Sequence, residues 1–146
     1  MTPAIVHLTA RSDDLAEWLG RGETLHRVLR PQLPADYEGA MRTILAEGAE
    51  MALLHEAAVP RALAVFRAFH DTANGYRFYI DDLVTDPDCR SAGHGAALLG
   101  WCEAEARQRG CDRLTLESGT HRERAHRFYF REGLAITLFG FAKPLR

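Results

Sequence analysis

Residues Tyr76–Gly110 read YRFYIDDLVTDPDCRSAGHGAALLGWCEAEARQRG, a strand that passes through a short turn into a helix opening on two closely spaced glycines. Tyr76 to Thr85 is rich in β-branched and aromatic side chains, and Asp86-Pro87-Asp88 stops the strand because proline cannot donate to a sheet ladder. Gly93 to Arg109 follows with helical spacing. Leu98, Leu99, Cys102 and Ala106 fall on one apolar face, and Gly110 is a residue that helix ends favour. The first turn, Gly93-His94-Gly95-Ala96, leaves backbone N–H groups without helical acceptors beside little side-chain bulk. Free donors and the positive end of the helix dipole predict a phosphate or pyrophosphate site there, and with it the active site.

Elimination narrows the anion carrier. A Walker loop requires Gly-Lys-Ser/Thr after four intervening residues, and the chain has none; a dinucleotide fold would put a small residue at Leu98 and lie near the start of a βαβ unit. Arg90-Ser91-Ala92-Gly93-His94-Gly95, after the strand residues Leu83-Val84-Thr85, resembles the Arg/Gln-x-x-Gly-x-Gly/Ala signature of the GNAT superfamily of N-acetyltransferases. The resemblance implies that Arg90, Ser91, Ala92, Gly93, His94, Gly95 and Ala96 bind the pyrophosphate of acetyl-coenzyme A.

The rest of the chain is read around that unit. Its 146 residues predict one domain, 1–146, with no repeat, low-complexity stretch or linker. Hydrophobic content of 47% and charged content of 26% are those of a globular protein, and a net charge of -2 gives no reason to expect nucleic acid or an acidic membrane surface as partner. No secretory leader is visible and no segment approaches the ~18 apolar residues that span a bilayer. Cys89, Cys102 and Cys111, an odd number without Cys-x-x-Cys spacing, point to reduced thiols in the cytoplasm, and the seven histidines show no metal spacing. Ala4–Thr9 reads as a first strand. Ser12-Asp13-Asp14 offers caps for a helix carrying Leu15, Trp18 and Leu19, and Asp36–Gly48 is helical through Tyr37, Met41 and Leu45, with Pro31 and Pro34 between. Met51–Glu56 and Arg61–Phe69 form a hairpin, and Asn74-Gly75 turns the chain into the strand from Tyr76. Arg113–Glu117, reached through a crossover helix, should run parallel to that strand, giving a mixed sheet. Thr120-His121-Arg122-Glu123 has the form of a capping box for a helix from His121, Gly133 ends it, and Ile136–Lys143 reads as a final strand.

Ala125-His126-Arg127-Phe128-Tyr129-Phe130-Arg131-Glu132-Gly133-Leu134 then resembles the GNAT C-terminal helix, with Arg122 where the family has Asn and Leu134 where it has Phe. The resemblance implies an α/β (α+β) fold, a mixed, mostly antiparallel twisted sheet flanked by helices, in an acetyl-coenzyme A-dependent N-acetyltransferase acting by direct attack in a ternary complex. It implies that the Leu83 N–H polarises the thioester at a strand bulge, that the main chain of Leu83, Val84 and Thr85 holds the pantetheine arm, with Arg122 standing where the family's Asn bonds that arm, and that Tyr129 is the general acid. Asp82 is the preferred general base, with Asp81 and Glu117 as alternatives. Strict alternation sends Asp81 and Asp82 to opposite faces unless a bulge intervenes. His26, Arg27, Arg30, Tyr37 and Glu38 become acceptor-pocket candidates by the same resemblance, and Arg122, Arg124, Arg127 and Arg131 candidates for the adenosine phosphate. Within the superfamily, Ser118-Gly119 followed by AHRFYFREG is most similar to the aminoalkylphosphonate and related small-amine acetyltransferases. The expected acceptor is a small primary amine, one bearing an anion clamped by Arg27, Arg30 or Arg67 among the options. A protein acetyltransferase, a silent acyl-coenzyme A sensor and a homodimer are left open.

Overall fold

Strand order equals chain order. The computed structural model describes residues 2–146 and contains β1 (Ala4–Leu8), α1 (Leu15–Leu29), α2 (Tyr37–Ala46), β2 (Glu50–Glu56), β3 (Val59–Asp71), β4 (Gly75–Thr85), a 3₁₀ turn at Pro87–Cys89, α3 (His94–Gln108), β5 (Arg113–Leu116) and α4 (Glu123–Arg131). The five strands form one sheet, β1-β2-β3-β4-β5, in which β1 to β4 pair antiparallel. Two compact units result, one ending at Thr115 and one from Leu116 to Arg146. Among the described residues no helix is long and apolar enough to cross a membrane, and no group of three or more His, Cys, Asp or Glu is placed to hold a metal ion.

In the first unit, period-2 alternation sends Met51, Leu53, Leu63, Val65 and Val84 to one face of the sheet, where they pack with Leu15, Trp18 and Leu19 of α1 and Met41 and Leu45 of α2. Gly22 lets α1 approach: a Cβ there would meet Leu53 Cδ2 at 2.9 Å and Leu63 Cδ1 at 3.2 Å. The helix ends at Leu29 because Arg30 precedes Pro31, which disfavours helical backbone before it. Asp36 caps α2, its carboxylate accepting from the Gly39 N–H at 2.9 Å. Leu98, Leu99, Cys102 and Ala106 of α3 are buried as their spacing predicted, and Trp101 meets Phe66, which stacks on Phe78 at 4.7 Å. Burial pushes the Cys102 thiol up to about 12, which fits a packing role. β5 starts level with β4, since the Asp112 N–H donates to the Tyr76 carbonyl at 2.7 Å. With four residues against eleven, β5 ends while β4 continues toward Thr85.

The second unit corrects two expectations. Arg122, not Thr120, occupies the N-cap of α4 and makes no side-chain cap bond, and the helix starts at Glu123. The preceding residues are closed instead by a turn, with the Arg122 N–H donating to the Gly119 carbonyl at 3.0 Å. The strand expected at Ile136–Lys143 does not form; residues 134–146 hold no regular element, and Phe141 is 97% exposed. Alternation supplies propensity, but a strand needs a neighbour for its ladder, and beyond the last residue of β5 this unit has none.

Candidate active site

The site is built on the C-terminal half of β4. Val65 of β3 pairs with Asp82 and Phe66 with Ile80, so Asp81 is an extra residue, a β-bulge. Alternation restarts across it. Tyr79 and Asp81 before the bulge and Asp82 and Val84 after it share the face that α1 and α2 cover, and consecutive carboxylates line one cavity of about 260 Å³. Its apolar wall is Leu33, Met41, Ile44 and Val65; its polar wall is His26, Arg30, Tyr79, Asp81 and Asp82. The rule that would have parted the two aspartates holds on either side of the bulge and fails at it.

The two carboxylates have different surroundings. Asp82 is 12% exposed and accepts from His26 Nε2 at 2.7 Å and from Arg30 Nε at 2.7 Å. Burial alone would raise its pKa, but the hydrogen bonds and charges of His26 and Arg30 prevail and hold it below the usual carboxylate range. His26 is buried on α1, and its Nδ1 lies 2.8 Å from the Tyr37 hydroxyl. Burial, with Glu23 and Asp82 adding to it, pushes the Tyr37 hydroxyl well above its ordinary range, so it stays protonated beside Nδ1, while Nε2 on the far side of the ring donates to the ionised Asp82. Hydroxyl, imidazole and carboxylate thus form a chain, Tyr37 to His26 to Asp82, that fixes the Asp82 carboxylate. Asp81 is 24% exposed and meets Arg67 through two parallel bonds of 3.1 and 2.6 Å. The charged groups thus run positive, negative, negative, positive: Arg30, Asp82 and Asp81 on the cavity wall, and Arg67 bound to Asp81. Arg27 faces elsewhere, donating to Glu23 at 2.8 Å and to the carbonyls of Leu33 and Pro34 at 2.7 Å each. Glu38 pairs with Arg42 on the surface of α2.

From the same stretch of β4 the chain runs to the anion cradle. Leu83, Val84 and Thr85 pair with Ala64, Leu63 and Ala62 of β3 on one edge, and on the other edge β4 has run past the end of β5. The Asp86 carboxylate accepts from the Asp88 N–H and from Arg61, which ties down the following turn. Ser91 at φ 69° and Gly93 at φ 82° are left-handed, and right-handed α3 follows Gly93 at once. A left-handed residue followed by a right-handed one aims successive N–H groups at one point, a nest for an anion. The first helical bond of α3 runs from the Ala97 N–H to the Gly93 carbonyl at 2.9 Å, so the amides of His94, Gly95 and Ala96 have no acceptor within the helix. A Cβ at Gly93 would meet no atom within 4 Å; the space beside it is open. Ser91, Ala92 and Arg90 are exposed around it, and His94 is buried with its Nδ1 unpartnered. Donors, open space and an orphaned polar atom fit a pyrophosphate.

In the second unit Tyr129 is half-buried on α4, its ring 5.4 Å from that of Phe128. Burial raises its pKa, with the Arg122 charge pulling the other way, and a phenol so placed is protonated at neutral pH. Arg124, Arg127 and Arg131 are exposed on the same helix, and so is Glu117 before it.

The model of the acetyltransferase (GNAT) family matches residues 15–134. An aminoalkylphosphonate N-acetyltransferase of Salmonella typhimurium is 44% identical over 66 residues, which cover 45% of this chain and 43% of that protein. The chain spans about half the length of the curated relatives it matches. Among solved structures, the aminoglycoside acetyltransferase AAC(6')-Iy in complex with a coenzyme A bisubstrate analogue superposes with a TM-score of 0.81 at 16% identity, covering 100% of this chain and 99% of that one. A ribosomal-protein-alanine N-acetyltransferase from Brucella melitensis does so with a TM-score of 0.76 at 16% identity, covering 99% and 100%. At such identities these two likenesses establish the fold.

Proposed function

The chain belongs to the acetyltransferase (GNAT) family, and on that premise we propose that it moves an acetyl group from acetyl-coenzyme A to the primary amine of a small molecule by direct attack in a ternary complex. The observation that carries this is the double use of β4. Within five residues, Asp81 to Thr85, it lines a carboxylate-bearing cavity and presents a strand edge that leads to the anion nest at α3. Such a juxtaposition suits two substrates that must meet at one bond.

Acetyl-coenzyme A, when bound, supplies the acetyl thioester. The nest and free amides at Gly93–Ala96 hold its pyrophosphate, and the main chain of Leu83, Val84 and Thr85 holds the pantetheine arm, with the Leu83 N–H polarising the carbonyl. Asp82, kept ionised by His26 and Arg30, draws in the substrate ammonium. Its proton passes by way of Asp82 to water rather than resting on a carboxylate held so acidic. The freed amine forms the new C–N bond, and as the C–S bond breaks the Tyr129 hydroxyl gives its proton to the departing sulfur and regains one from solvent.

The charges at the cavity support an acceptor that carries an anion near its amine: the ammonium meets Asp82 and Asp81, and the anion meets Arg30 on the wall or Arg67, the partner of Asp81. The relative that acts on aminoalkylphosphonates has a substrate of that description. Thiol release with acetyl-coenzyme A would be followed for an aminoalkylphosphonate, an amino acid, an aminoglycoside, a neutral alkylamine and a lysine peptide. The anionic amines should give the highest kcat/KM. A lysine peptide turned over while every small amine stays at background would replace this reading by a protein acetyltransferase, and inactivity towards all five with coenzyme A still bound would point to a sensor.

A further inference from the structure

Exposed apolar side chains are concentrated at the end of the chain. Ile136, Leu138, Phe139, Phe141 and Leu145 are 69–97% exposed, whereas the other large apolar side chains at the surface, Val28, Val59 and Phe130, are each about half covered. Extended backbone would put Leu134, Ile136 and Leu138 on one side and Phe139 and Phe141 on the other. A strand apolar on both sides suits a sheet that is covered on both faces, and Pro144, which has no N–H to donate, marks its end. The main chain here is as bare as the side chains. Among the described residues the last backbone bond runs from the Leu134 N–H to the Tyr129 carbonyl at 2.9 Å, and no ladder follows it. Unpaired N–H and C=O groups in an extended apolar segment are a template for another strand.

The same chain carries the complementary edge. β5 is the last strand of the sheet and pairs on its β4 side alone. Leu114, Thr115 and Leu116 give that edge no charge to guard it, and Arg113 is turned to Asn74 at 3.1 Å. Within the second unit the terminal segment passes Glu117, the residue after β5: a Cβ on Gly140 would meet Glu117 Oε2 at 3.9 Å. A two-fold axis near that crossing lays each terminal segment along the β5 of the other copy. The area agrees. Buried aromatic side chains remove about 150–250 Å² each and aliphatic ones somewhat less, so the five amount to roughly 700 Å² per copy. Counting both segments and the surfaces they cover, the buried total is on the order of 2,000 Å², the size of a stable homodimer interface. A different protein would have to supply an open edge of its own and would leave β5 bare, whereas two copies use up both edges and close.

We propose that residues 134–143 form a strand in the sheet of a second copy, paired with its β5, and that the exchange is reciprocal and gives a two-fold dimer. The ladder absent from the single chain is then supplied by the partner.

The test is sedimentation equilibrium of the full chain at micromolar concentration, joined to amide hydrogen exchange read by mass spectrometry. The wild type should sediment at twice the chain mass of 16.3 kDa, with residues 136–143 and β5 protected. Leu138→Pro removes a ladder donor at a position where the single chain has no hydrogen bond to lose. It should give monomers in which the terminal segment and β5 lose protection together while α1 and β1 to β4 keep theirs. Phe141→Glu should raise the dimer dissociation constant by about tenfold to a hundredfold, and serves where Leu138→Pro does not fold. A monomeric wild type overturns the proposal, whether its terminal segment is bare, and so left to a different protein, or protected, and so folded onto its own chain. A dimer that both variants leave intact overturns it too, as does a dimer in which the terminal segment or β5 exchanges freely.

Discussion

Replacing Asp82 by Asn keeps the shape of the side chain and removes its charge, so the effect reports what the carboxylate does. In the wild type it accepts two charge-assisted hydrogen bonds of 2.7 Å at 12% exposure. An amide has one oxygen, so one of the two donors, His26 Nε2–H or Arg30 Nε–H, is left facing an NH2 group. Losing a charge-assisted bond costs about 1.5–3 kcal/mol. The cost of stranding the Arg30 charge is moderated because that side chain is 38% exposed, which places the total at about 2–4 kcal/mol, below the upper range for fully buried pairs. Asp81→Asn is the control one residue away. Its pair with Arg67 is bidentate but more exposed, and should be worth about 1 kcal/mol. Urea unfolding followed by circular dichroism at pH 7 measures both. The sign with pH also follows: Asp82 has a depressed folded pKa, so its contribution is present above the ordinary carboxylate pKa of about 4 and is lost as pH falls through the folded value. The difference between wild type and Asp82→Asn should therefore shrink by pH 3. If Asp81→Asn costs as much as Asp82→Asn, or if the gap does not narrow between pH 7 and pH 3, the assignment of Asp82 as the fixed anion of the cavity is wrong.

Tyr129→Phe should lower kcat by about 10²–10⁴, the usual range for a general acid, with coenzyme A affinity unchanged by calorimetry; wild-type turnover where chemistry limits the rate would return Tyr129 to a packing role. Gly93→Val forces a branched side chain into the left-handed region and fills open space, so it should weaken coenzyme A binding while leaving the circular dichroism spectrum intact. Burial alone would raise the pKa of Glu50, but hydrogen bonds from Arg109 and His7 hold it at about 2, so the stability it provides is complete above about pH 4.5 and drains away toward pH 2. Glu50→Gln should cost about 2 kcal/mol at pH 7, a value discounted for partial solvent access, and flatten that acid transition in thermal melts.

The legible parts of the sequence were those with local causes. Alternating apolar residues and Asn74-Gly75 foretold the meander, the spacing of Leu98, Leu99, Cys102 and Ala106 foretold the buried face of α3, and the glycines at 93 and 95 foretold the free amides. The family resemblance implied a bulge in this strand at Leu83, and the register places it at Asp81; that position was not legible, because nothing in IDDLV distinguishes an extra residue from a regular one and its signal lies in the register of β3 opposite. The His26–Asp82 bond joins residues 56 positions apart, and sequence reasoning named both without being able to pair them. The Thr120 capping box failed because a turn to Gly119 claims the same backbone, and the final strand failed because propensity cannot supply a ladder partner.

Arg27 grips the loop between α1 and α2 by the carbonyls of Leu33 and Pro34, groups that every amino acid possesses. The wall of the cavity is thus fastened without reference to the side chains that compose it. Mutational drift from residue 31 to 35 can recontour that wall while the fastening persists, and selection for a new acceptor has a short, tolerant segment on which to act. A library randomised there with Arg27 and Glu23 kept constant would retain more folded members than one in which Arg27 is free to vary.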